Sequence, residues 1–167
     1  MRIFILGFMG TGKSHWGKLW AEANNMQFYD LDALIEEQEK ASVVDIFEKA
    51  GEDYFRVKEA SMLRDILKHD NCIISCGGGS PCFYDNMQCM NENGITVYLS
   101  ATPQYILKNV LDEKEKRPLI KKVNEAELLF FVEQKLKERA PFYSQATLTL
   151  DAETLDVNSL SQIISNS

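Results

Sequence analysis

The sequence has no apolar stretch long enough to cross a membrane. Its longest, Ile3-Phe4-Ile5-Leu6 running into Gly7-Phe8-Met9, falls far short of the roughly 20 residues a span requires. Only Arg2 precedes that stretch and no A-x-A-like cleavage site follows, so it does not read as a signal peptide. Histidine is nearly missing, with His15 and His69 alone. The four cysteines, Cys72, Cys76, Cys82 and Cys89, include no CxxC pair, and neither histidine falls among them. That spacing excludes the usual zinc frameworks and fits buried thiols in a reducing compartment. Nine glycines and four prolines are too few for a low-complexity chain. A formal charge of −7 argues against the basic face of a general nucleic-acid or membrane-surface binder. A cytoplasmic chain is expected.

What is present amounts to one domain of 167 residues, enough to bury a core without disulfide or metal staples. Charge is unevenly spread: residues 30–70 hold 12 acidic and 6 basic side chains, whereas residues 108–139 hold 9 basic and 7 acidic ones. An acidic protein with one basic stretch suits a small anionic ligand better than a polyanion. Short apolar runs at Arg2–Leu6, Gln27–Tyr29, Cys72–Cys76, Ile95–Leu99 and Thr147–Leu150 read as buried strands. Helices are predicted at about 13–24, 33–40, 43–50, 53–69, 84–92, from Pro103 onward, at 124–138 and at 156–165. Residues 112–123, rich in Lys and Glu without an apolar period, read as an exposed loop. The alternation predicts an α/β fold of three layers, α/β/α, around a five-stranded parallel sheet. Ligands of such folds bind where strands end at their carboxyl edge.

Immediately after the first strand stands Gly7-Phe8-Met9-Gly10-Thr11-Gly12-Lys13-Ser14, which is G-x-x-x-x-G-K-S. Its glycines let successive N–H groups curl around phosphate oxygens. Lys13 reaches the β/γ-phosphates, Ser14 ligates Mg²⁺, and the following helix adds its N-terminal dipole. The remaining loops narrow the class. Neither a D-x-x-G switch nor an N-K-x-D guanine motif occurs, and the third strand ends in Ser75-Cys76 rather than Asp-Glu. A small-molecule kinase remains, one that must hold an acceptor hydroxyl near the γ-phosphate and exclude water.

Asp30 and Asp32 follow the second strand, and alternation in an extended segment predicts two different tasks for them. Capping of the next helix is the plainer reading of either. Five arginines stand against 13 lysines, so each Arg invites a reason such as a bidentate anion contact. Arg56 follows Phe55, Arg117 precedes Pro118-Leu119 and Arg139 precedes Ala140-Pro141-Phe142, which suggests half-buried guanidiniums; Arg2 and Arg64 read as surface or ion-pair residues. Gly77-Gly78-Gly79 after a buried strand permits close backbone approach to a ligand.

With these residues in place, the chain resembles the shikimate kinases from Ile3 to at least Tyr143. The motifs that carry the resemblance are GFMGTGKS, FYDLDALIE at 28–36, IFEKAGEDYFRVKE at 46–59, CGGGSP at 76–81, KRPLI at 116–120 and ERAPFY at 138–143. The resemblance implies a P-loop kinase fold and transfer of the γ-phosphoryl group of ATP to the 3-hydroxyl of shikimate, a step toward chorismate and the aromatic amino acids. It assigns Gly10, Thr11, Gly12, Lys13, Ser14 and His15 to the nucleotide, with Ser14 and Asp30 on Mg²⁺. Asp32 is the expected base or orienter, and Arg56 and Arg139 clamp the substrate carboxylate beside Gly77, Gly78 and Gly79. Arg117 resembles a lid arginine on a lid at about 112–123, and residues 33–61 a substrate-binding arm. A monomer is expected.

Three positions depart from the family pattern. Asn109 stands where an adenine-stacking Arg is common, His15 replaces a hydroxyl residue, and residues 151–160 lack the usual adenine loop. All three concern the nucleotide rather than the acceptor. The alternatives are a gluconate-type sugar-acid kinase, disfavoured by the D-x-D, F-R-x-x-E and R-P-L set, and a non-catalytic nucleotide-binding module. The latter would be expected to have lost Lys13, Asp32 or Arg117.

Overall fold

The computed structural model describes residues 1–113 and 124–166. Five parallel strands form one sheet: β1 (Arg2–Leu6), β2 (Gln27–Asp30), β3 (Cys72–Ser75), β4 (Ile95–Ser100) and β5 (Leu148–Asp151), in the order β2-β3-β1-β4-β5. β1 lies at the centre, with Ile3 beside Ile73 on one flank and Ile95 on the other. Residues 3–6 are fully buried, as expected of a strand covered on both faces.

Alternation along β1 divides the core. Phe4 and Leu6 pack with Leu31, Ile35, Leu63 and Ile74 on one face; Ile3 and Ile5 pack with Trp20, Ile73, Val97 and Leu99 on the other. The helices α1 (Lys13–Ala23), α2 (Leu31–Glu39), α3 (Val43–Ala50), α4 (Glu52–Ile66), α5 (Asn86–Asn93), α6 (Pro103–Asp112), α7 (Glu125–Tyr143) and α8 (Ser161–Ser165) complete the layers. None of the described helices is long and apolar enough to cross a membrane. Phe8, at the carboxyl edge of the sheet, joins Ile106, Val110, Leu128 and Val132 in a third cluster that seats α6 and α7 beside the β1 loop.

Several elements differ in their bounds from the sequence-based expectation, three of them as follows. The last helix begins at Ser161, not 156, because Asp156 and Ser159 capture the local amides. The Asn158 N–H donates to Asp156 Oδ1 at 2.8 Å and the Asp156 N–H to Ser159 Oγ at 2.9 Å, a turn that competes with helix. In contrast, α7 runs on to Tyr143 through Pro141. A proline near a helix end removes one backbone donor, and the Ser144 N–H still reaches the Ala140 carbonyl at 2.9 Å. Arg139 and Tyr143 therefore lie four residues apart on one helical face. Third, α2 starts at Leu31 rather than 33, which places Asp32 in its first turn. The exposed loop expected at 112–123 lies outside the described residues from 114 onward; Asp112 closes α6.

Candidate active site

The loop after β1 is shaped by its glycines. Gly10 and Gly12 have φ of 81° and 88°, a left-handed region that residues with a Cβ rarely enter. Thr11 is buried, and both its hydroxyl, at 2.7 Å, and its N–H, at 3.4 Å, donate to the Phe8 carbonyl, so the residue braces the loop. The Lys13 ammonium donates to the same carbonyl at 3.0 Å. Burial pulls its pKa down to about 8, against the partial support of the Asp32 carboxylate. A cation held this way is poised to gain from an incoming polyphosphate.

Asp30 does two things at once. Its Oδ1 accepts from the Ala33 N–H at 3.2 Å and caps α2, while its Oδ2 accepts from the Ser14 hydroxyl at 2.7 Å. Ser14 Oγ also lies 3.2 Å from Ser75 Oγ. One hydroxyl and one carboxylate side by side, all oxygen, fit Mg²⁺, which takes few protein ligands and fills its shell with phosphates and water. The expectation that Asp30 and Asp32 diverge because both lie in extended chain is corrected. They diverge because Asp30 ends β2 as the helix cap and Asp32 has entered the helix.

Asp32 points into the interior, where its Oδ1 has no hydrogen-bond partner among the described residues. Burial raises its pKa, reinforced by the neighbouring Asp30 charge and opposed by Lys13. A carboxylate left unsatisfied beside a lysine and short of solvent is an acceptor awaiting a donor.

The glycine triplet shows how the rest converges. A Cβ on Gly77 would stand 3.0 Å from Asp32 Oδ1 and 3.1 Å from Glu59 Oε2. One on Gly78 would stand 2.9 Å from Arg139 Nη1, and one on Gly79 only 2.5 Å from Arg56 Nη2. None of the three has positive φ, so close approach, not backbone conformation, is what demands glycine here. Each glycine makes room for a different charged group.

Arg56, on α4, is buried among its partners. Nη1 donates to Glu59 at 2.9 Å, and Nε and Nη2 to Glu52 at 3.3 Å, so one N–H on each terminal nitrogen stays unclaimed among the described residues. Two donors left on one guanidinium suit a carboxylate. Arg139, on α7, lies with its guanidinium 5.1 Å from the Phe8 ring centre. Below it the Tyr143 hydroxyl donates to the Gly78 carbonyl at 2.6 Å and fixes the glycine loop.

Glu59 escaped the sequence reading as a site residue. It is fully buried, and burial lifts its pKa to about 7 even against its Arg56 partner. Its signal was the spacing of three from Arg56 on one helix. Arg64, read as a surface or ion-pair residue, is exposed as expected and makes three hydrogen bonds.

The structure thus brings Lys13, Ser14, Asp30, Asp32, Arg56, Gly77, Gly78, Gly79 and Arg139 to one end of the sheet. His15 is set apart on the exposed side, its ring edge-on to Trp16 at 5.2 Å. It lines a cavity of about 340 Å³ with Gly10, Gly12, Trp16, Tyr105 and Asn109. Asn109 is not idle there, since its Nδ2 donates to the Gly10 carbonyl at 2.7 Å and ties α6 to the loop. Arg117 lies outside the described residues.

Comparison with known proteins decides the class. The family model described as shikimate kinase matches residues 9–166. The chain belongs to the shikimate kinase family. Against the shikimate kinase of Bacteroides thetaiotaomicron it is 42% identical over 156 residues, covering 93% of this chain and 89% of that one. The crystal structure of the shikimate kinase from that organism superposes with a TM-score of 0.92 at 39% identity, covering 99% of this chain and 97% of the other. The shikimate kinase from Acinetobacter baumannii, solved in complex with shikimate, gives a TM-score of 0.85 at 30% identity, covering 99% and 94%. The five-stranded P-loop kinase fold of this shikimate kinase is the one its sequence predicted.

Proposed function

We propose that this enzyme holds the carboxylate of shikimate between Arg56 and Arg139 and its acceptor hydroxyl against Asp32, below a phosphate cradle formed by residues 7–14. The reaction is ATP-dependent phosphorylation of shikimate; the gluconate-type and non-catalytic alternatives are not favoured. The acceptor oxygen, on our reading the 3-hydroxyl, forms a bond to the γ-phosphorus as the bond to the β–γ bridging oxygen breaks. ADP carries away that electron pair, and the hydroxyl proton passes toward Asp32. Burial has already shifted Asp32 toward the basicity such a transfer needs. Lys13 and the loop amides bind the transferring charge.

Ser14 and Asp30 would hold Mg²⁺. When bound, the ion supplies positive charge to the β- and γ-phosphate oxygens. Arg117, by its place in the KRPLI motif, is the proposed lid cation over the same phosphates. Residues 33–61 are the proposed substrate arm within a single domain. A reducing cytoplasm suits the four free thiols, and one chain supplies every group invoked, in keeping with a monomer.

The observation that carries this reading is the triplet geometry: three consecutive glycines clear space against Asp32, Arg139 and Arg56 in turn. The test is ADP release in a coupled assay with Mg²⁺ and shikimate, quinate or gluconate as acceptor. Turnover should require shikimate and Mg²⁺. Equal turnover with gluconate, or rapid ATP hydrolysis without acceptor, would refute it.

A further inference from the structure

The loop between the glycine triplet and α5 does something that none of the motifs explains. Phe83 lies with its ring centre 4.4 Å from the Arg56 guanidinium carbon, closer than either Phe55 at 5.3 Å or Phe47 at 5.9 Å. An aromatic face at that distance attracts a guanidinium and favours one orientation of its plane. With Glu59 and Glu52 holding its edges and Gly79 close against Nη2, the ring restrains a further degree of freedom of the group.

Phe83 does not reach this place by relaxed chain. The next two residues, Tyr84 and Asp85, have φ of 49° and 55°, and the Asn86 N–H closes the turn onto the Phe83 carbonyl at 2.9 Å. Two successive left-handed residues without a glycine are strained, most of all at a bulky tyrosine. Arg64 holds the turn. Its Nη2 donates to the Tyr84 carbonyl at 2.7 Å and its Nη1 to Asn86 Oδ1 at 2.7 Å, with a further bond to the Ala60 carbonyl at 2.9 Å. Fully buried Asn86 in turn donates through Nδ2 to the Ser80 carbonyl at 2.9 Å. Arg56 and Arg64 stand on the same helix, so α4 carries both the clamp and the anchor of the loop that backs it.

We propose that Phe83 is a positioning residue for the substrate carboxylate, acting by stacking on Arg56, and that Arg64 latches the strained turn that presents it. The inference rests on the assignment of Arg56 to the carboxylate. It predicts an effect on one part of the substrate alone: shikimate should be bound less well when the ring is lost, while shikimate methyl ester, whose carboxylate is masked, should not distinguish the variants.

The experiment measures KM for shikimate, for its methyl ester and for ATP, with kcat, in Phe83→Leu, Phe83→Tyr, Arg64→Met and Arg56→Lys. Phe83→Leu should raise KM for shikimate about three- to thirtyfold, with kcat and KM for ATP within about twofold of the parent. Phe83→Tyr keeps the ring and should restore the parent value. Arg64→Met should move KM in the same direction as Phe83→Leu, and it keeps the proposal testable if Phe83→Leu does not fold. An equal rise for shikimate and its methyl ester would mean a merely structural role and overturn the proposal. So would an unchanged KM for shikimate in Phe83→Leu while Arg56→Lys raises it. An unchanged KM in Arg56→Lys would instead overturn the carboxylate assignment, and this proposal with it.

Discussion

Replacing Gly79 by alanine isolates the proposed carboxylate clamp from every other feature of the site. Gly79 sits at φ −91° and ψ −6°, a conformation that alanine adopts freely, so the backbone should not object. The new methyl would stand 2.5 Å from Arg56 Nη2, 3.0 Å from Cζ and 3.1 Å from Nη1. Comfortable carbon contacts begin at about 3.5 Å, so the guanidinium must withdraw by about 1 Å. Its exits are limited by the Phe83 ring at 4.4 Å and the Glu59 bond at 2.9 Å. The tip of a flexible side chain can yield without unfolding the protein, but a shift of that size takes its free N–H donors out of reach of a carboxylate placed for the parent geometry. Losing one charge-assisted hydrogen bond is worth about 1.5–3 kcal/mol, or about 10- to 150-fold in affinity. Calorimetric titration with shikimate should show that loss, while the Kd for ATP and the Tm stay near those of the parent. Gly78→Ala, which meets Arg139 at 2.9 Å, should behave alike, whereas Gly77→Ala, which meets Asp32 at 3.0 Å, should lower kcat as well. A Gly79→Ala enzyme that binds shikimate within twofold of the parent would refute the reasoning.

Two further outcomes follow from the electrostatics. Asp32→Asn should lower kcat by about 10²–10⁴-fold, the range for a lost general base, yet leave Tm unchanged or higher, because it removes a buried charge beside Asp30; a drop of tenfold or less in steady-state assays would reduce Asp32 to a spacer. For Lys13 the sign runs through proton uptake. The free enzyme holds its pKa down at about 8, and bound polyphosphate stabilises the ammonium and raises it. ATP binding should therefore take up protons at pH 8 and above and weaken as pH rises further; titrations in buffers of different ionisation enthalpy should diverge there, and identical heats would contradict the assignment.

Local signals in the chain were sufficient for the P-loop, the five strands and the order of the helices. Each of those depends on neighbouring residues: glycines that admit positive φ, apolar runs buried on both faces, caps three residues from their targets. Asn124 shows it, its side chain accepting from the Glu127 N–H at 2.8 Å as the spacing foretold. The proposed acceptor site was legible only as a list of residues. Arg56, Gly79 and Arg139 are far apart in sequence, and what makes them a site is the distance across the end of the sheet.

What was not legible has the same origin. Arg64 is exposed, as read, but its partners, Tyr84 and Asn86, come from a loop 20 and 22 residues away. Asn109 stands where the family often has an adenine-stacking Arg, and folding makes it a strut under Gly10, 99 residues distant. Glu59 carried a visible spacing from Arg56, yet its altered basicity belongs to burial, and burial is a property of the packed molecule. The sequence alone determined which groups could bind phosphate and form a sheet, because those capacities are local. Which carboxylate would be left unpaired, which glycine would face which charge and which aromatic ring would back the clamp were decided by tertiary packing, because only there do desolvation and close approach between distant segments arise.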